Sequence, residues 1–368
     1  MSNLSFNTSD DPVTARLPAQ ELEILNLIAH GNSVIDWKRL HFSTRAEVDE
    51  FLRLNLFDPD NHSDVQRMFA ILAQAVEYLR KTFRYRVAAP VAHPRHIQDL
   101  FLLASGAIEP QRLRRIACVV LKVMHTVHHI EARELLFLAR ISEAELSQLV
   151  DSRVREVVDR LAKTLPIVRF EGSAKSRDSI VTKLIAKREN LAAQVFDRHR
   201  YRIVVRDREA LISTVLALAH NLFPFNYVLP GQTQNSLLSA ADLAPFVSNL
   251  HDATRITEAS DAETPERNEF SGHSYRILNF IVDLPLRIDA TVMATRHKGD
   301  DDLGRIVFAP VELQLVDEPT RIHNETGENA HARYKRRQLR KVLTRLSRGL
   351  VVPKGARPKT PGRDTQEN

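Results

Sequence analysis

A disulfide framework is excluded at once: Cys118 is the only cysteine in 368 residues. It sits in the apolar run RIACVVLKVM, where a buried, inert thiol is expected rather than a nucleophile. No apolar stretch approaches the roughly 20 residues that cross a bilayer, so no membrane partner is expected. The opening MSNLSFNTSDDP is polar and acidic and lacks the apolar centre of a secretory signal. Together these absences predict a cytoplasmic, reducing location. A general basic surface is missing too. From Arg333 to the end, twelve Lys/Arg face two acids, a net +10, so the preceding residues carry −4 of the chain's formal +6. The basicity is a property of the C-terminal segment, not of a nucleic-acid-binding surface spread over the chain.

What is present is ordinary for a globular protein, with 43% hydrophobic and 27% charged residues over a length that suits two domains. Residues 1–17 show no periodicity and read as a loose N-terminus. Residues 18–164 read as an all-helical domain. A helix from Ala19 to Ala29 is stopped by Gly31-Asn32, and Thr44 with Glu47 forms a capping box. Ser63 is placed to cap a helix in which Val65, Met68, Phe69, Leu72, Val76, Leu79 and Phe83 recur at helical spacing. HPRHIQDLFLLASG predicts a short helix closed by Gly106. Gln111 to Leu138 is the most apolar helix and should be central. Ser142 and Glu145 open a last helix, which runs to about Thr164.

Pro166 ends the helical pattern. PIVRF, RYRIVV and SYRILNFIVDLPLRI are β-branched, aromatic or alternating, and RIVFAPVELQLVDEP supplies one or two more strands. Helices are predicted at Lys175–Arg188 and Arg208–Leu222. Strands mixed with helices, without a regular βαβ beat, predict an α+β chain whose second domain, residues 165–350, is a mixed sheet flanked by helices. Residues 223–269 read as a long connection or small insertion. A basic helix is predicted from Asn329 to about Leu350, and residues 351–368 as a disordered basic tail.

Three constellations carry candidate chemistry. His125 and His129 have the i, i+4 spacing of helical metal ligands, but Thr126 stands where a zinc protease has glutamate, and the N-terminal half holds no adjacent His-Asp pair. With His128 and Glu131 they read as a polar seam between packed helices. The basic helix HARYKRRQLRKVLTRLSRGL has two compatible readings. Leu339, Val342, Leu343 and Leu346 form a stripe to bury, while the cations of 333–363 could contact RNA or a ribosome. The third constellation is Val168–Arg206. There Gly172 reads as a turn admitting close backbone approach, Lys175, Ser179 and Lys183 share one helix face, and Asp197 precedes Arg202 by five residues. Glu312 and Gln314 share one strand face, so two sheet-borne carboxylates, Asp197 and Glu312, could converge. Such a pair requires a divalent cation. This is the composition of a polyphosphate-nucleotide site.

These residues carry a family resemblance. Residues 166–338 resemble the synthetase domain of the RelA/SpoT family, which makes (p)ppGpp. Four blocks occur in family order: GSAKSRDSIVTK, FDRHRYRIVV, SYRILNFIVD, and VELQL with AHARYK further on. The resemblance implies a nucleotidyltransferase-like fold and transfer of pyrophosphate from ATP to the 3′-hydroxyl of a guanosine nucleotide, GDP or GTP, or a related acceptor. It implies that Gly172, Lys175, Ser179, Lys183 and Arg202 hold ATP, and that Asp197 and Glu312 bind Mg²⁺. It further implies that Glu312 accepts the 3′-hydroxyl proton, and that Tyr275, Arg276, Asn279, Gln314 and His331 hold the acceptor, with Tyr275 stacked on guanine. The chain departs from the family at Ser173 (arginine there), Arg200 and Ser274 (glycine), Asn279 (histidine) and Val316-Asp317 (Arg-Thr). The Lys-Asp-Tyr that precedes the tyrosine is absent. The competing expectation is a non-catalytic nucleotide-sensing or RNA-binding regulatory module.

Overall fold

In the computed structural model, residues 17–31, 41–139, 141–174, 199–243, 246–247, 274–288, 304–326 and 331–346 are described, with four isolated positions between 178 and 185. The loose N-terminus, the tail 351–368, most of the 175–188 helix and the residues before His199 lie outside them.

The helical half begins with α1 (Ala19–His30), α2 (Arg45–Leu54), α3 (His62–Phe83), the single turn α4 (Ala89–Ala92) and α5 (Ile97–Ser105). A 3₁₀ turn at Gln111–Leu113 then leads into α6 (Arg114–Leu138), and α7 (Glu143–Leu161) follows. Local chemistry sets most of these boundaries. Gly31 and Gly106 adopt the left-handed conformation that closes α1 and α5. Ser142 accepts from the Glu145 N–H at 3.2 Å while Glu145 accepts from the Ser142 N–H at 2.8 Å, a reciprocal cap on α7. At α2, Thr44 accepts from the Glu47 N–H as expected, but the Glu47 carboxylate takes the Ser43 N–H instead. Ser63 does not cap α3. The Oδ1 of Asn61 accepts from both Ser63 and Asp64 N–H, and Ser63 lies inside the helix. Asn is as good a cap as Ser, and it stands one residue ahead of the helix start, where the orphan donors point.

The second half runs β1 (Ile167–Ala174), β2 (His199–Val205), α8 (Arg208–Asn221), β3 (Gln234–Asn235), α9 (Ala240–Leu243), β4 (Leu278–Arg287), β5 (Ile306–Asp317), α10 (Glu318–Glu325) and α11 (His331–Leu346). The α+β class therefore holds. The five strands form one mixed sheet in the order β1-β2-β5-β4-β3, with β2 parallel to β5 and the other pairs antiparallel. RIVFAPVELQLVDEP gives one strand followed by a helix, because Asp317 accepts from the Thr320 N–H and Pro319 sits in the first turn. The stretch 223–269 is more than a connection at its start: Phe225, Asn226, Tyr227 and Val228 are all buried.

One apolar core runs from Leu22 in α1 to Val316 in β5, so it crosses the helix-to-strand change at residue 165. Period-2 alternation divides the strands. Tyr201, Ile203, Leu313, Leu315, Leu278 and Phe280 belong to one face and are buried. Arg200, Arg202, Glu312, Gln314 and Asn279 belong to the other. α6 closes one end of that polar face, where His129 stacks on Phe308 with ring centroids 4.5 Å apart and meets the Asp283 carboxylate at 2.7 Å. The seam expected on α6 is thus a bonded one. His128 shares a hydrogen bond with the Tyr227 hydroxyl at 3.1 Å, and Glu131 is held by Arg67 and Gln74 of α3.

Two expectations need correction. β1 continues through Gly172 into an antiparallel ladder with β2, so no turn occurs there. The Leu339–Leu346 stripe is not buried: Val342 is enclosed, but Leu339, Leu343 and Leu346 are exposed. Arg345 of α11 donates to the Ile185 carbonyl at 2.6 Å. No helix among the described residues is long and apolar enough to cross a membrane.

Candidate nucleotide site

Strand register assembles the candidate site. Arg202 on β2, Gln314 on β5 and Asn279 on β4 are direct cross-strand partners, and Arg200 and Glu312 are partners two residues earlier on the parallel pair. Facing side chains in such rows are about 5 Å apart at Cβ, close enough for polar tips to bond. They do. Arg202 Nη2 and Nε donate to Gln314 Oε1 at 3.1 and 3.3 Å, and Nη2 reaches the Tyr275 hydroxyl at 3.4 Å. The Gln314 amide then donates to Glu312 Oε1 at 2.9 Å. The result is one relay, Tyr275–Arg202–Gln314–Glu312, across three segments of chain.

The relay leaves unfilled capacity. Glu312 and Gln314 are each only 7% exposed, yet among the described residues Glu312 Oε2 has no hydrogen-bond partner, and neither does the enclosed Asn279 Oδ1. A buried carboxylate oxygen without a donor costs of order a few kcal/mol, so an arrangement that keeps one calls for an ion, a water or a substrate hydroxyl. Arg202 forms no salt bridge with any described residue, and its bonds go to a neutral amide and a phenol. Among the described residues, then, no carboxylate pairs with its positive charge. The face offers an oriented cation at one end and a carboxylate oxygen seeking a proton or a metal at the other.

Of the residues expected to act together, Arg202, Tyr275, Gln314 and Glu312 are bonded into this cluster and Asn279 shares their row. Arg276 is not brought in. Its guanidinium donates to the Ser236 carbonyl at 3.3 Å, and its backbone is clamped by Asn324 on α10 at 3.0 and 2.6 Å. Asn324 itself escaped sequence reasoning. It is buried, and it fixes the segment that presents Tyr275 from a helix 48 residues away, a separation no motif spacing records. Gln234, in register with Asn279 on β3, was hidden for the same reason. Lys175, Ser179, Lys183 and Asp197 lie outside the described residues. His331 opens α11, and its side chain lies outside them too. Among the described residues, no three His, Cys, Asp or Glu side chains converge as a metal would require. Within this cluster, Glu312 Oε2, buried and unbonded to any described residue, is the oxygen a divalent cation could take.

Gly172 has a packing role. A Cβ there would lie 2.8 Å from Tyr201 Cε1 and 3.0 Å from an Arg155 guanidinium nitrogen. Tyr201 cannot yield easily, since its ring stacks on Phe170 and its hydroxyl donates to Asp151 at 3.2 Å. Gly172→Ala should therefore destabilise the fold by about 1–3 kcal/mol, an overpacking cost readable as a lower Tm. An unchanged Tm would return the glycine to a ligand-approach role.

Solved structures similar to this chain include the small alarmone synthetase 1 from Bacillus subtilis, at 13% identity and a TM-score of 0.31 over 58% of this chain and 88% of that one. The same synthetase bound to its product pppGpp is similar at 16% identity and a TM-score of 0.30, over 58% and 89% of the two chains. A GTP pyrophosphokinase family protein from Streptococcus pneumoniae is similar at 12% identity and 0.30, over 59% and 89%. No protein-family model matches the chain, and no curated protein does. The resemblance of residues 166–338 to RelA/SpoT synthetase domains rests on the four motif blocks.

Proposed function

We propose that the protein is a divergent RelA/SpoT-like pyrophosphokinase, moving the β,γ-pyrophosphoryl group of ATP onto the 3′-hydroxyl of GDP, GTP or a related acceptor. The observation that carries this reading is the free Glu312 Oε2 at the end of a relay that also orients Arg202 and Tyr275. In the transfer, the 3′-oxygen attacks the β-phosphorus, the bond from that phosphorus to the α–β bridging oxygen breaks, and AMP leaves. Glu312 Oε2 takes the proton of the attacking hydroxyl, while Gln314 holds the other carboxylate oxygen and fixes its direction. Arg202, positioned by Gln314 and Tyr275, holds phosphate oxygens as charge builds on them. The Tyr275 ring stacks on the guanine. Glu312, with Asp197 as the motif implies, would hold Mg²⁺, which when bound supplies neutralising charge to the polyphosphate.

The reading is tested by incubating the full chain with γ-labelled ATP and Mg²⁺ against a panel of GDP, GTP, ATP and tRNA. Label on the 3′-position of a guanosine nucleotide is the expected result. Nucleotide binding without any label transfer would sink catalysis and leave a nucleotide-sensing module. The exposed cations of α11 also make RNA or ribosome contact a proposal for that helix, tested by loss of RNA binding in Arg336→Ala/Arg340→Ala.

A further inference from the structure

The C-terminal end of α3 carries a cluster that pyrophosphate transfer does not use. In the run YLRKTFRYR, residues 78–86, only Leu79 is buried. Tyr78, Phe83 and Tyr85 are 47%, 57% and 46% exposed. A lone exposed aromatic needs no explanation, but these three touch. Tyr78 and Phe83 meet edge-on with centroids 5.7 Å apart, and Phe83 and Tyr85 do so at 6.3 Å. Each edge-to-face contact covers one face of one ring, and the exposures show that about half of each side chain still meets solvent.

The same surface is strongly cationic. Residues 77–86 hold four Lys/Arg against one acid, a net +3, within the part of the chain that is otherwise acidic. Lys81 is paired with Glu77 at 2.8 Å. Arg80, Arg84 and Arg86 are exposed, and none forms a salt bridge with a described residue. An apolar protein partner would have to strip water from these guanidinium groups without compensating them. A chain alternating flat bases with phosphates would satisfy rings and cations together.

Backbone conformation adds an independent sign. Arg84 sits at φ 57°, ψ 30°, the left-handed position at which helices usually end on glycine. There its N–H donates to the Arg80 carbonyl and the Tyr85 N–H donates to the Leu79 carbonyl, both at 3.1 Å, which folds Tyr85 back beside Phe83. An arginine at this position gives up stability that glycine would retain, and what it adds is a cation between two exposed rings.

We propose that this cluster is a docking surface for single-stranded RNA, with the open aromatic faces stacking on unpaired bases and Arg80, Arg84 and Arg86 holding the phosphates. RNA is the favoured strand because unpaired loops, bulges and ends are regular features of folded RNA, whereas DNA is mostly duplex. A duplex keeps its base faces stacked inside and offers the rings nothing. The surface lies on the helical half and does not depend on the pyrophosphokinase reading.

The test is fluorescence anisotropy of the full chain with a labelled mixed-sequence RNA of about 12 nucleotides, a length suited to such surfaces, over a salt series. The same sequence as DNA and as duplex RNA serves for comparison. Single-stranded RNA should bind best. Phe83→Ala/Tyr85→Ala should weaken it by about tenfold or more, the loss expected for removed base stacking. Arg84→Gly should weaken binding while raising Tm, a combination that misfolding cannot produce. The proposal is overturned if the wild type does not bind, if DNA or duplex binds as well, or if both variants bind unchanged. It also fails if binding is lost only in Arg336→Ala/Arg340→Ala, or if the aromatic variant merely dissolves a dimer of this chain.

Discussion

Replacing Glu312 with glutamine should lower pyrophosphate transfer by about 10²–10⁴-fold, the range for loss of a positioned general base. The substitution is close to isosteric. Its amide keeps one oxygen for the Gln314 hydrogen bond, now 2.9 Å in the native relay, and replaces only the unpartnered Oε2. A buried carboxylate with an unfilled acceptor is itself a stability cost, so Tm should hold or rise while turnover falls. That opposition is the signature of a residue kept for chemistry. Initial rates at saturating ATP and acceptor, with Tm measured on the same preparation, check it. Unchanged turnover would remove Glu312 from proton transfer, and a fall in Tm would make it structural. A variant of Arg202, by contrast, should raise KM for ATP as well, because its bonds serve orientation of a charge that meets phosphate before reaction begins.

The second large effect concerns acid. On α6, His128 is buried between Phe57 and Phe308, and the half-buried His125 stacks on Tyr227. Burial, with a smaller contribution from neighbouring histidines, lowers both pKa values to about 3. Burial also raises the Tyr227 phenol well above its usual range, so its hydroxyl stays protonated in the bond to His128. The unfolded chain would titrate these histidines near 6.5. Below that pH the unfolded chain gains two protons that the native fold does not, so the stability of the neutral pair is complete above about 6.5 and is lost progressively as pH falls toward 3. At pH 5 the two together should have lost about 4 kcal/mol, at ~1.4 kcal/mol per unit per group. Urea unfolding between pH 7.5 and 5 checks this. His128→Asn should flatten the slope by about half, and an unchanged slope would remove His128 from the groups responsible.

The same α6 residues show how far sequence reading went. Their polar character against an apolar helix was legible as a seam, because spacing alone puts positions 125 and 129 on one face. Their partners were not. Asp283 lies 154 residues from His129, and Tyr227 lies 99 from His128, and no local pattern links them. Caps divide the same way. Gly31, Gly106 and the Ser142–Glu145 box were legible because capping is local chemistry, whereas Asn61 displaced Ser63 through a geometry that composition alone does not rank. The exposed leucines of α11 mark a different gap: periodicity identifies a stripe but not whether anything covers it.

The sequence by itself determined the α+β class, most element boundaries, the order of the motif blocks, and the sharing of one strand face by Glu312 and Gln314. All of these follow from interactions within a few residues and from fixed helical and strand periods. Only the tertiary structure decided that β5 lies between β2 and β4, which sets Arg202 and Asn279 on either side of Gln314. It also decided that Gly172 packs against Tyr201, that Asn324 clamps the Arg276 backbone, and that Glu312 Oε2 is left without a donor among the described residues. Strand register and burial come from contacts between residues far apart in the chain, where the area removed from water and the donors left over are settled jointly by every element at once.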